Sequence, residues 1–147
     1  MVLAGGGCVV GVGAVIILGL DPGTRNIGWA VSVDGRVIAH GVFHPNSRKK
    51  VPLVSVIGQA LAFVRRLHKT HKFEKVVVEE VRWRGIRAKV LFPLAHVAGA
   101  LTAAGVFMVG SVVLVPPHER GPAPRLKRGA TEHEKDAAAL AVNHGDD

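Results

Sequence analysis

Cysteine is almost missing from this 147-residue chain, with Cys8 the single copy. One thiol closes no intramolecular disulfide and builds no cysteine-based zinc cluster, and it suits a reducing cytoplasm. Charge is missing from the whole run Met1 to Leu20. That run has no basic leader of the kind a signal peptide needs. Gly5, Gly6, Gly7, Gly11, Gly13 and Gly19 also interrupt it too often for a membrane span. Residues 1–14 are therefore expected to form a flexible or edge-pairing extension, with Val15 a candidate initiator position and 15–145 a single domain. No membrane partner is expected.

Acids are scarce against bases, with Asp and Glu numbering 11 and Lys and Arg 19, so the formal charge is +8 and the isoelectric point near 10.4. Such an excess on a folded domain is the electrostatic footprint of a partner rich in phosphates. Disorder is excluded by a hydrophobic content of 48% and a mean hydropathy of +0.30. The length suits one domain with a real core.

The stretch Ile16 to Val31 is the centre of the chain. An apolar strand-like run ends at Asp21, Pro22-Gly23 turns the chain, and strand composition resumes at Ile27. A carboxylate at the lip of a buried strand needs a metal, a cation or a hydrogen-bonded cap, or else it simply caps the turn. Ile27 to Val33, Asp34-Gly35 and Val37 to Phe43 read as a hairpin. A polar, basic connection follows from His44 to Lys50. Leu53, Ile57, Ala60, Leu61, Val64 and Leu67 share one helical face after Pro52. Its basic end, including His68 and His71, reads as capping and solvation rather than metal binding.

A second buried run, Val76-Val77-Val78, ends in Glu79-Glu80. Ligand sites gather beyond the carboxyl ends of strands in open sheets, so Asp21 and Glu79 meet if their strands are neighbours. Glu79, directly after the run, is the candidate, and Glu80 is expected to face solvent. Arg82, Trp83, Arg84, Arg87 and Lys89 follow. They suit phosphate contact with base stacking, or else a surface loop whose Trp83 packs on the core. Leu91 to Gly105 reads as a helix apolar on most sides, for the core or a subunit interface. Val106 to Val109 or Val112 to Val115 supplies another strand. The stretch from Pro116 to Ala130, with Arg125, Lys127 and Arg128, is expected to be a mobile basic loop.

Thr131 and Glu134 have capping-box spacing, which places His133 and Asp136 on one face of the first turns of a last helix. Asp146 and Asp147 read as a frayed tail. Asp21, Glu79, His133 and Asp136 thus come from three separated segments. Two divalent cations about 4 Å apart on such a set would activate a water and stabilise the leaving oxygen of a phosphodiester. Oxygen ligands with one imidazole favour Mg²⁺ or Mn²⁺ over zinc.

In this order of motifs the chain resembles the RuvC family of Holliday junction resolvases, in the RNase H-like superfamily. Leu20-Asp21-Pro22-Gly23-Thr24 with Gly28 resembles the first family motif, Val78-Glu79-Glu80 the second, and His133-Glu134-Lys135-Asp136-Ala137 the last. The resemblance runs from Ile16 to His144. It implies an α/β fold with an RNase H-like mixed five-stranded sheet flanked by helices. It also implies Asp21 on both metals, completed by Glu79 and Asp136, and His133 at a place that family members fill with Asp or His. Mg²⁺ would be the cofactor, two ions per site, with Mn²⁺ as substitute. Arg82 or Trp83 stands near the place of an aromatic that probes the junction centre. The substrate would be a four-way DNA junction. A homodimer would nick it in pairs, leaving 5′-phosphate and 3′-hydroxyl ends.

Two departures from the family are visible. The region between Val115 and Thr131 is short where a further helix is expected, and the N-terminal extension is unusual. Such a compact version would suit a phage or other mobile element. A YqgF-type RNA-processing nuclease and a non-catalytic branched-DNA binder are the rival readings. Actin-like ATPases need two large lobes, for which this chain is too short.

Overall fold

The computed structural model describes residues 2–4, 8–10, 14–45, 52–82 and 87–147, with side chains from residue 14 onward. The connection expected over His44 to Lys50 lies mostly outside the described residues, and Trp83 and Arg84 lie wholly outside them. Strands β1 (Val2–Ala4) and β2 (Cys8–Val10) pair antiparallel as a separate two-stranded ribbon.

The main sheet begins with β3 (Ile16–Asp21), β4 (Ile27–Val33) and β5 (Arg36–Phe43), an antiparallel meander. The β4–β5 turn is Asp34-Gly35, both residues at positive φ, as a tight hairpin turn of this sequence requires. Helix α1 (Leu53–His71) buries Val56, Ala60, Val64 and Leu67; of the face expected from spacing, Leu53, Ile57 and Leu61 are half-buried, and Val56 stands outside that expectation. Strand β6 (Lys75–Glu79) then enters parallel to β3. Helix α2 (Ala88–Val109) leads to β7 (Val112–Val115), parallel to β6, and helix α3 (Glu132–Asn143) closes the chain. The resulting mixed five-stranded sheet, in order β5-β4-β3-β6-β7, is the architecture expected.

Side-chain alternation sorts the core into two layers. Leu18, Leu20, Val31, Val76 and Val78 face α1 and α2, with Val64, Val97 and Leu101. Ile17, Ala30, Val77 and Val115 face α3, whose contribution is mainly alanine: Ala137, Ala138, Ala141 and Leu140. Two glycines let α3 lie almost on the backbone of the sheet. A Cβ on Gly19 would stand 2.2 Å from the carbonyl oxygen of Ala137, and one on Gly28 would stand 2.2 Å from that of His133. Ser32, buried under the same helix, donates to the Ala141 carbonyl at 2.7 Å.

Three expectations are corrected. Helix α2 is not buried all round: Val97, Ala98, Leu101 and Gly105 are buried, whereas Val90, Phe92, Val106 and Phe107 are exposed. A helix on an open sheet turns only part of its circumference inward, and the rest stays bare whatever its composition. By length and composition α2 is also apolar enough to cross a membrane, yet its buried residues belong to the domain core. Its helical pattern runs through Val109, so Val112–Val115 is the strand.

The Pro116–Ala130 stretch is anchored rather than mobile. It holds a single 3₁₀ turn, Pro117–Glu119, in keeping with a Pro-rich loop standing in place of a further helix. Asn143 Nδ2 donates to the carbonyls of Arg120 at 3.1 Å and Pro122 at 2.9 Å, and Leu126 packs on the α3 layer. The tail is likewise tied down. The buried Lys75 donates from Nζ to the backbone oxygens of Gly145 at 3.0 Å and Asp147 at 2.6 Å, because an ammonium on the α3 face must find acceptors there.

Candidate metal centre

The period of the β-strand decides which acids meet. Ile17, Gly19 and Asp21 point to the α3 face of β3, and Lys75, Val77 and Glu79 to the same face of β6; Glu80, just past the strand, lines the cleft beside Asp21 and Glu79. Because β3 and β6 are adjacent and parallel, with Leu20 opposite Val78, Asp21 and Glu79 end side by side at the carboxyl lip. The α3 start is pinned above them by its capping box. The Thr131 hydroxyl accepts from the Glu134 amide at 3.2 Å, and the Glu134 carboxylate accepts from the Thr131 amide at 2.7 Å. Glu134 also meets His40 Nδ1 of β5 at 2.8 Å. This bonding holds the Glu134 carboxyl below its usual range, the Thr131 amide contributing most. Gly28 then allows the His133 backbone down onto β4.

The structure thereby brings together Asp21, Glu79 and Asp136, each with an oxygen within 4.8 Å of the others. His133 stands beside this triad: its Nδ1 is 2.8 Å from Asp21 Oδ2. Arg120, which sequence reasoning passed over within the basic loop, is the further member. Its Nη1 is 3.1 Å from Glu79 Oε2 and also contacts Asp136 Oδ2. The contact with Glu79 is one of charge without hydrogen-bond geometry, since the buried Oε2 receives no hydrogen bond. No local pattern singles out Arg120; its place follows only from the return of the loop across α3.

Electrostatics mark the triad as short of positive charge. Burial pushes the Asp21 carboxyl above its usual range, against the opposing effect of the His133 bond and charge. Glu79 is pushed up to about 7, first by burial and then by the neighbouring Asp21 carboxylate, with Arg120 opposing. Converging carboxylates with an orphaned oxygen suit a hard divalent cation, which takes oxygen ligands and supplies the missing charge.

The cationic candidates fall into three places. Arg82, paired with Glu80 at 3.2 Å, lines a cleft of about 220 Å³ together with Asp21, Pro22, Glu79, Leu94 and Pro117. Arg87 and Lys89 are exposed at the start of α2. Arg125, Lys127 and Arg128 line a second recess with Lys135, the residue next to Asp136.

No family model and no curated protein matches this chain. Solved structures do. A Thermus thermophilus RuvC in complex with a Holliday junction substrate superposes with a TM-score of 0.69 at 21% identity, covering 88% of this chain and 92% of that one. A second Thermus thermophilus RuvC structure gives a TM-score of 0.68 with the same identity and coverage. Ydc2, the yeast mitochondrial Holliday junction resolvase, gives 0.54 at 11% identity, covering 71% of this chain and 51% of that one. The chain thus has the RuvC-like, RNase H-like fold.

Proposed function

We propose that this protein is a RuvC-family crossover junction endodeoxyribonuclease, which resolves four-way DNA junctions by paired, metal-dependent phosphodiester hydrolysis. The observation that carries this reading is the meeting of Asp21, Glu79 and Asp136 where two neighbouring parallel strands end, beside a cleft lined by acids and by Arg82. The fold shared with resolvases, one of them bound to a Holliday junction, supports the substrate class.

In this reading Asp21, Glu79, Asp136 and His133 hold Mg²⁺, two ions per site, with Mn²⁺ as substitute. Bound divalent metal supplies an activated water and stabilises the leaving oxygen. The chain's own residues do the rest. Asp21 sits at the centre because it reaches the other carboxylates and His133 at once. His133 fixes the orientation of the Asp21 carboxylate. Arg82, Arg87, Lys89, Arg125, Lys127 and Arg128 hold phosphates, with Trp83 and Arg84 in the same tract, and Arg82 or Trp83 probes the junction centre. The cut leaves 5′-phosphate and 3′-hydroxyl ends.

The bare apolar side of α2, with Phe92 and Phe107 in the open, supports a homodimer that places two sites on one junction. A cytoplasmic place in DNA recombination and repair fits the substrate and the single thiol.

One observation favours a second reading. The Arg120 contacts with Glu79 and Asp136 are also what a purely structural ion pair would look like, as in a non-catalytic binder of branched DNA. Cleavage of a synthetic four-way junction, with linear duplex and structured RNA as controls, in Mg²⁺ and in EDTA, decides. Paired nicks in the junction alone, lost in EDTA, are expected. Tight binding without nicking in Mg²⁺ or Mn²⁺ gives the binder, and preferential RNA cleavage gives the YqgF-type nuclease.

A further inference from the structure

Arg120 is held by its backbone and extended by its side chain. Its carbonyl accepts from Asn143 Nδ2 at 3.1 Å and lies 3.2 Å from His144 Nε2, both at the far end of α3. Gly121, at φ +83°, turns the chain directly under Asn143, where a Cβ would stand 2.6 Å from Nδ2. From this fixed base Arg120 Nε donates to the Pro117 carbonyl at 3.2 Å, and the guanidinium reaches the triad. Its side chain is about one quarter exposed, so the guanidinium has a way out toward solvent while the backbone stays in place.

The oxygens it touches, Glu79 Oε2 and Asp136 Oδ2, belong to the two carboxylates that join Asp21 in the triad. One unit of charge against three carboxylates leaves the cluster under-neutralised, and Glu79 Oε2 receives no hydrogen bond. A divalent cation carries twice the charge and takes carboxylate oxygens such as these as ligands. A guanidinium does not leave by losing its proton; it leaves only by moving.

We propose that Arg120 is a tethered counter-ion that keeps the acidic triad assembled without metal and competes with divalent cations for Glu79 and Asp136, thereby setting the metal concentration at which the site fills. The proposal rests on the reading of the triad as a metal site. It predicts two effects of opposite sign from one substitution. Without Arg120 the metal-free protein is less stable, because the carboxylates repel one another unopposed. The same protein binds metal more tightly, because its competitor is gone.

The test is calorimetric titration with Mg²⁺ and Mn²⁺, and thermal melting in EDTA and in Mg²⁺, for wild type, Arg120→Gln and Arg120→Lys. Arg120→Gln is expected to bind Mg²⁺ about two- to fivefold tighter, the scale of one lost charge contact in a partly exposed site. It should melt lower in EDTA and gain more from Mg²⁺ than wild type does. Arg120→Lys, which keeps the charge but loses the planar fork, should fall between; it carries the test if the Gln variant does not fold. Equal Mg²⁺ affinity and equal Mg²⁺-induced stabilisation in wild type and variants would make Arg120 a structural ion pair and overturn the proposal, with the metal site intact. Absence of Mg²⁺ and Mn²⁺ binding in all three proteins would overturn the metal reading itself, and the proposal with it.

Discussion

His133 Nδ1 lies 2.8 Å from Asp21 Oδ2, joining the first turn of α3 to the lip of β3 across 112 residues of sequence. Asp21 is buried while the His133 side chain is about half exposed. One partner therefore offers a fixed carboxylate, and the other keeps part of its ring open to solvent.

Three substitutions separate their roles. Asp21→Asn removes the charge at the centre of the triad and should lower junction cleavage by about a thousandfold or more, given the several kcal/mol that metal-bound charge stabilisation supplies. His133→Ala, which leaves the carboxylates in place, should cost about tenfold to a hundredfold. His133→Asp, which restores an oxygen ligand, should recover part of that loss. Single-turnover cleavage of a labelled four-way junction, with melting curves to show retained folding, measures all three.

Gly28→Ala tests how closely α3 must sit. The added methyl would stand 2.2 Å from the His133 carbonyl oxygen, a backbone atom that moves only if the helix does. A cost of about 1 to 3 kcal/mol is expected from this overpacking, together with a cleavage loss at temperatures where the variant is still folded. Urea denaturation gives the first quantity and single-turnover rates the second.

Stability without metal should fall as pH rises. Glu79 has a folded pKa raised from 4.5 to about 7, so the folded state holds a proton that the unfolded state releases. The associated stability is fully present below pH 4.5 and is lost on rising through about 7; by linkage it amounts to a few kcal/mol at most. Asp21, also raised, acts in the same direction. Melting temperatures in EDTA from pH 5 to 8 should decline more steeply for wild type than for Glu79→Gln. Added Mg²⁺ should flatten the wild-type curve, because metal favours the ionised form.

Junction affinity should drop steeply with added salt, since cations on the protein displace counter-ions from DNA. Substituting Lys127 or Arg128 by Ala should weaken binding to all branched sequences alike and reduce the log–log salt slope by roughly one. Fluorescence anisotropy across a KCl series in Ca²⁺ reads both; an unchanged slope would remove the recess beside Lys135 from the DNA path.

Much of the architecture was legible before any coordinates, because it rests on short-range rules. The strand-to-turn change at Asp21-Pro22-Gly23, the Asp34-Gly35 hairpin, the α1 stripe from Leu53 to Leu67 and the Thr131–Glu134 capping box are all written within a few residues of one another. Glu79 was chosen over Glu80 for its place directly after the Val run, and it is Glu79 that lies beside Asp21 and Asp136. The extent of exposure on α2 was not legible: composition records how apolar a helix is, not how much of it a neighbour covers. The anchoring of the Pro-rich stretch depends on Asn143 and on the packing of Leu126, contacts that no spacing announces.

The sequence by itself determined most of the elements of the main sheet and its helices, their order and three of the acids at strand and helix ends, because propensity, alternation and capping act locally. Only the tertiary structure decided that Asp21, Glu79 and Asp136 share one point, that Gly19 and Gly28 bring α3 close enough to complete it, and that Arg120 reaches into it. These are distances between segments far apart in the chain, and they are set by the register of β3 against β6 and by the close seating of one alanine-rich helix.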